Sequence, residues 1–312
     1  MLQESVQDPR NGATSGGWAG GPPRVFQKGP VNVHPQRSLG SMAFTVFLHT
    51  LLIIGALIMA GPFIWMIITS LKDTSQAFSS PPSFLPNPIV WSNYPNSLQA
   101  MPFGEAYFNS IYIAIIVVVV DLLTSAMAGY AFARIRFPGR DSIFVLFLAT
   151  LMIPFQLTII PLFIIMQKLN WIDTHLALIV PACLFDAFGV FLMRQFIKGI
   201  PIELEEAAIV DGASRWTVFW RIILPLLKAP LSALGIFTFL STWNSFFIPL
   251  IMLNTPDLFT VPLMLNQFKD QYTTQWTLVM AGSLIAVLPV LIVYIIGQRQ
   301  IIQGIALTGL KS

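Results

Sequence analysis

Six stretches of this chain, at about 43–68, 108–133, 141–166, 175–197, 226–253 and 277–297, are apolar and nearly free of charge. Each reaches the roughly 20 residues that a helix rising 1.5 Å per residue needs to cross the hydrocarbon core of a bilayer. With 55% of its 312 residues hydrophobic and only 10% charged, the chain lies far from the composition of a water-soluble domain. The pattern predicts an all-α integral membrane protein with six spanning helices, because a lipid-embedded backbone must satisfy its own hydrogen bonds.

The basic residues set the expected orientation. With the N-terminus on the cytoplasmic side, Arg10, Arg24, Lys28, Arg37, Arg134, Arg136, Arg140, Arg194, Lys198, Arg215, Arg221, Lys228, Arg299 and Lys311 fall inside, and only Lys72, Lys168 and Lys269 fall outside. Fourteen against three selects this topology under the positive-inside rule and places both termini in the cytoplasm. The net charge of +3 therefore reflects orientation in the membrane. It does not indicate nucleic-acid binding, since no basic stripe with interleaved aromatics is present.

Residues 1–40 are rich in Gly, Pro and Ser, cannot bury a core, and are expected to form a disordered cytoplasmic tail. The first apolar run begins too late to be a short secretory signal, so it is expected to remain as an anchor. The first helix and a proline-rich external loop occupy 41–103, a transmembrane domain 104–298, and a cytoplasmic tail 299–312.

The most specific motif lies in a cytoplasmic loop at 200–225, between the fourth and fifth spans. Glu206-Ala207-Ala208 is followed after three residues by Gly212, then after nine by Ile222, and by Leu224-Pro225. Pro201 suits a helix start and Glu203, Glu205 and Glu206 suit the positive end of its dipole. Gly212 suits a left-handed stop, and Ser214 can cap a second helix through Trp216 and Trp220. The segment reads as a short rigid helix of about two to three turns. Its plainer reading is an amphipathic helix lying at the membrane surface.

This spacing resembles the EAA loop of bacterial ABC-importer permeases, in the branch that includes the maltose and multiple-sugar permeases. Met152-Ile153-Pro154, Ile160-Pro161, Trp243-Asn244 ahead of Pro249-Leu250, the run Pro256 to Leu263, and Leu288-Pro289 extend the resemblance over about residues 60–312. Together they are similar to the second, shorter permease of a heterodimeric sugar importer.

The resemblance implies a type I importer fold in the bacterial plasma membrane. It also implies a second homologous permease, two ATP-binding-cassette subunits and an extracytoplasmic sugar-binding protein. ATP and Mg would sit on the partner ATPase, with no cofactor in this chain. The implied ATPase-coupling residues are Glu203, Glu205, Glu206, Ala207, Ala208, Asp211, Gly212, Ile222, Leu224 and Pro225.

Two carboxylates, Asp121 and Asp186, fall near mid-span. A charge there costs about 2.5–3.5 kcal/mol on insertion scales, so each must face protein or water and find a partner. They either line a solute path or hold helices together through hydrogen bonds; both readings stand at this point. No Lys or Arg falls within the inner part of a span, which favours a neutral sugar over a phosphate or carboxylate solute. Phe155, Gln156, Asp186, Phe188, Trp243, Asn244 and Phe247 are the candidate path residues, since rings stack on sugar faces and amides bond their hydroxyls.

No nucleophile with a base and orienting group is evident, so the chain is expected to be a permease and not an enzyme. No second His or Cys stands at ligand spacing from His49 or Cys183, so no metal site is expected. The tail Gly304 to Gly309 approaches a phosphate-binding loop, but Leu310 separates Gly309 from Lys311. A competing class, a proton-coupled secondary transporter, would use Asp121, Asp186 and His49 as titrating groups.

Overall fold

The computed structural model describes residues 39–79, 83–100, 102–184, 186–271 and 275–309. Of the tail expected at 1–40, residues 1–38 lie outside these residues and Leu39 and Gly40 open the first helix. The described elements are helical, and they fall into two compact units, 1–57 and 58–312.

In the first unit, α1 (Leu39–Ser70) begins, and it continues into the second. All side chains from Met42 to Leu57 are exposed, as suits a helix that meets lipid or another chain. His49 donates Nδ1–H to the Thr45 carbonyl at 2.7 Å, one turn back in its own helix.

The second unit carries the rest. Beyond α1 come two short elements, α2 (Thr74–Ala77), which Asp73 caps at its N-terminus, and α3 (Asn93–Ala100). The prolines between 81 and 102 exclude anything longer. Lys72 is buried here, its Nζ donated to the Ser83 carbonyl at 2.5 Å and set over the Trp65 ring at 4.5 Å.

The axis of the unit is α4 (Phe103–Arg134), 32 residues and about 48 Å at 1.5 Å per residue. Its N-terminal part, from Phe103 to Val117, enters one buried cluster with Trp243, Met252, Leu263 and Met264. Its C-terminal part, Ala126 and Tyr130, enters another with Met193, Ile197, Val218, Phe219 and Ile223. Asp121 and Ser125 are buried between the two.

The third apolar stretch is not the straight span that its hydropathy predicts. α5 (Arg140–Ala149) passes through a 3-10 turn at Thr150–Met152 and then turns by 103° into α6 (Phe155–Lys168). Pro154 has no N–H to continue the ladder and drives Ile153 into the extended region (φ −83°, ψ 116°).

The fourth stretch is broken at its middle into α7 (Leu176–Leu184) and α8 (Ala187–Lys198). The break stays within the membrane only because its freed backbone groups find partners. The Asp186 carboxylate accepts the Phe188 N–H at 3.0 Å and the Thr124 hydroxyl donates to the Cys183 carbonyl at 3.0 Å.

After α8 comes α9 (Glu203–Val210), then α10 (Arg215–Val218), a π-helical turn at Phe219–Ile223 and α11 (Leu224–Leu226). A 76° bend at Leu227 leads into α12 (Lys228–Trp243). The fifth apolar stretch therefore does not run straight to 253. It stops at Trp243, where Asn244 donates Nδ2–H to the Leu240 carbonyl at 2.8 Å, and resumes as α13 (Phe247–Met252).

The unit closes with α14 (Val261–Gln271) and α15 (Trp276–Gly309). Among the described residues four segments are long and apolar enough to cross a bilayer, α7 and α8 together forming one of them, and each of the two bent pairs supplies one more if it acts as a single span, giving up to six.

A clasp fixes the loop between α13 and α14. Asn109 donates to the Asp257 and Phe259 carbonyls at 2.8 and 3.1 Å, and His175 donates Nε2–H to the Leu258 carbonyl at 2.7 Å while its Nδ1 accepts from the Tyr112 hydroxyl. The Thr255 hydroxyl and the Thr255 and Asn254 amides converge on Asp173, holding its carboxyl below the usual carboxylate range.

Candidate functional site

The helix break at Asp186 opens onto a cavity of about 320 Å³. Val117 and Asp121 of α4, Pro181 and Ala182 of α7, Asp186 with Phe188, and a face of α12 line it. From α12 come Leu234, Phe237, Thr238, Ser241 and Thr242, spaced so that one side of a helix presents them together. Phe188 and Phe237 meet edge to face with ring centroids 6.4 Å apart.

The two carboxylates have different tasks. Asp121 is buried and tied: its Oδ2 accepts from the Thr238 hydroxyl at 2.8 Å and its Oδ1 from the Ser125 hydroxyl at 3.1 Å, joining α4 to α12. This is the helix-holding reading. Asp186 is half-buried and caps α8. Its second oxygen lies where a side chain on Gly189 would begin, which is why that position carries none. A capping carboxylate on a cavity wall retains acceptor capacity for a solute hydroxyl.

Of the path residues expected from sequence, Asp186 and Phe188 line the cavity. The others do not. Trp243 is core: it is buried, stacks on Phe239 at 5.8 Å, and donates its indole N–H to the Ala286 carbonyl at 3.3 Å. Asn244 spends its amide on a helix end, and Phe247 is exposed beside Phe246. Phe155 and Gln156 open α6 on an exposed face away from the lining set. The hydroxyls of Thr238, Ser241 and Thr242 were missed, although their i, i+3, i+4 spacing marks a polar stripe.

The second feature is the loop around α9. The helix spans Glu203–Val210, with Ile202 rather than Pro201 at its start. Gly212 ends it with φ 86°, and Ser214 caps α10 by accepting the Thr217 N–H at 3.2 Å. Glu203, Glu206, Ala207, Asp211 and Gly212 face outward, with Ala208 half-buried. Val210, 87% exposed, and Trp216, exposed while packing on Phe219 and Trp220, extend an apolar surface beside them. Ile222 and Leu224 pack on the second buried cluster and Pro225 is exposed.

Glu205 departs from its neighbours. It is the one buried residue of α9, at 5% exposure, and not a solvated complement to the helix dipole. Its Oε1 lies 2.6 Å from Arg134 Nε as an ion pair off the line of a hydrogen bond, and its Oε2 accepts from the Tyr130 hydroxyl at 3.1 Å. Arg134 Nη2 in turn donates to the Ile197 carbonyl at 2.8 Å and to the Ile200 carbonyl.

An all-helical membrane body with a polar cavity at a broken helix and a short helix projecting from the bundle has the build of a transport permease. Residues 123–305 match the family of binding-protein-dependent transport system inner membrane components, and the chain belongs to that family.

The chain is 35% identical over 260 residues to the arabinooligosaccharides transport system permease protein AraQ of Halalkalibacterium halodurans, covering 82% of this chain and 93% of that protein. It is 32% identical over 268 residues to the sn-glycerol-3-phosphate transport system permease protein UgpE of Yersinia pestis, covering 83% and 95%. Its fold matches a chain in the crystal structure of a bacterial ABC transporter involved in the import of the acidic polysaccharide alginate. That match has a TM-score of 0.75 and 26% identity over 84% of this chain and 98% of that one. The chain is thus a permease of the ABC importer type, of the carbohydrate branch.

Proposed function

We propose that this chain is one permease subunit of an ATP-driven importer that carries a neutral sugar or oligosaccharide across the bacterial plasma membrane, with both termini cytoplasmic. The observation that carries the neutral solute is the cavity wall: two carboxylates, three hydroxyls and two phenyl rings, with no Lys or Arg among the lining residues. Carboxylates accept hydrogen bonds from solute hydroxyls and repel phosphate or uronate groups, while rings pack on the apolar face of a sugar. Relatives are named for neutral and for charged solutes, glycerol phosphate and the acidic polysaccharide alginate among the latter, and the neutral reading rests on this wall.

The partners follow from the same reading: a second homologous permease, two ATP-binding-cassette subunits holding ATP and Mg, and an extracytoplasmic binding protein. The outward face of α9, with Glu203, Glu206, Ala207, Ala208, Asp211 and Gly212, meets the ATPase, where small side chains let a partner approach the backbone. ATP and loaded binding protein favour an outward-facing state by a shift between two populations. The proton-coupled alternative loses ground because His49 bonds within its own helix and Asp121 is occupied by two hydroxyls.

Asp186→Asn tests the solute site, since asparagine caps a helix as well as aspartate does. We expect the complex to assemble normally and uptake of its neutral saccharide to fall about tenfold, the loss of one charge-assisted hydrogen bond. Asp186→Ala should in addition lose about 1 kcal/mol of stability through the missing cap. Full uptake by both variants removes Asp186 from the path, and specific uptake of a phosphorylated or carboxylated solute overturns the neutral assignment.

A further inference from the structure

The outer face of α9 is where a partner would push, but what receives the push lies on its inner side. Glu205 is the one fully buried residue of α9, and beside the half-buried Ala208, which packs on the second cluster, its carboxylate makes the helix's polar attachment to the bundle. That carboxylate meets Arg134, whose guanidinium also grips the carbonyls of Ile197 and Ile200 at the end of α8. Tyr130 joins the second arm of the loop, donating to Glu205 and packing its ring on Phe219 at 5.5 Å, in the π-helical turn after α10. Both arms of the loop therefore converge on one turn of α4.

From that turn two helices lead to the cavity. Asp121 lies about 20 Å up α4 from Arg134 at 1.5 Å rise per residue, and Asp186 begins α8, whose far end Arg134 holds. The two helices touch backbone to backbone: a Cβ on Gly129 would stand 2.6 Å from Met193 Cβ and 2.9 Å from Arg194 N, and one on Gly189 would stand 2.5 Å from Ser125 Oγ. Small residues let the two backbones approach this closely, and packing at this density leaves no room for one helix to shift without displacing the other. The ion pair is the polar connection between the helix pair that carries the cavity and the helix that carries the docking surface, with the small contacts of Ala208 and Ala213 beside it.

We propose that the Arg134–Glu205 pair, steadied by Tyr130, is the joint through which movement of α9 reaches the cavity, with both residues acting as positioning residues. This rests on the reading that α9 docks an ATPase. It assigns to Glu205 a role different from its exposed neighbour Glu206: Glu206 faces the partner, Glu205 transmits. A neutral side chain at 205 leaves the outward surface unchanged and loosens the attachment behind it. ATP hydrolysis then continues without reshaping the cavity.

The test reads the cavity directly. A cysteine is placed on its wall by Ser241→Cys in a Cys183→Ser background, and the complex is purified from its native membrane through a tag on this chain. Maleimide labelling is timed without nucleotide and with ATP plus vanadate. The parent should change its labelling rate by about fivefold or more, the lower end of ordinary coupling between sites. With Glu205→Gln added, the ATPase should still co-purify, and the change should shrink to less than about twofold. Arg134→Lys, which keeps the charge and loses the fork to the Ile197 and Ile200 carbonyls, should behave alike.

A full nucleotide response in Glu205→Gln overturns the proposal. Should the single variant fail to accumulate, Arg134→Met with Glu205→Leu removes both charges and leaves none buried alone. That double variant should restore the protein and its docked ATPase without the response. Recovery of the response as well would show that the pair only fills space, which also overturns the proposal. Absence of any ATPase with the parent contradicts the docking reading itself, a result distinct from a docked but unresponsive variant.

Discussion

Gly212→Pro is expected to abolish capture of the ATPase while leaving the chain inserted in the membrane. Gly212 has φ 86° and donates its N–H to the Ile209 carbonyl at 3.0 Å, ending α9 so that Ser214 can open α10. Proline fixes φ near about −65° and has no N–H, so it can adopt neither feature. The chain must leave α9 in a new direction, and the exposed face from Glu203 to Asp211 is no longer presented beside Trp216. Gly212→Ala should be milder, since a left-handed residue with a Cβ costs about 1–2 kcal/mol. The yield of ATPase recovered with the tagged chain measures both. An undiminished yield from the proline variant sinks the assignment of this loop as the docking element.

Gly129→Leu should have the other large effect, on the fold itself. The place where its Cβ would go is occupied by Met193 Cβ and the Arg194 amide of α8, neither of which can rotate aside. Even alanine forces α4 and α8 apart, and overpacking of this kind costs about 1–3 kcal/mol, with leucine at or beyond the upper limit. The loss falls on Met193 and Ile197, both wholly buried in the second cluster. Thermal unfolding in detergent should start well below that of the unaltered protein, with little folded material recovered for leucine. Gly104→Leu serves as the contrast because nothing lies within 4 Å of a Cβ there. Equal loss at both positions would mean that close helix contact is not what Gly129 provides.

The helical spans were legible because hydropathy averages over some twenty residues, and α1, α4 and α15 follow from it directly. The breaks were not, since an average does not register where a backbone ladder stops. Their local signals were present: Pro154 disfavours the helical region for Ile153, and Asp186, a strong capping residue, follows five residues after Pro181. Read as a charge in mid-membrane, Asp186 asks for a partner; read as a cap, it explains its own cost. Trp243 and Asn244 were chosen by residue type, and residue type does not say which way a helix faces. Thr238, Ser241 and Thr242 could have been found by periodicity.

The shape of the loop at 200–225 was largely readable, because Gly212 and Ser214 act through their own backbone. Glu205 was not. Three acids in one helical turn look alike until Arg134, far away in sequence, selects the one that turns inward.

ATP, and not an ion gradient, is proposed to drive a neutral saccharide past this chain. Uptake into vesicles holding the purified complex, with the extracytoplasmic binding protein outside and ATP enclosed, separates the two. Accumulation of the neutral saccharide should require the enclosed ATP and be unchanged by a protonophore. Uptake that persists without ATP and collapses when the protonophore is added would show an ion-driven transporter instead.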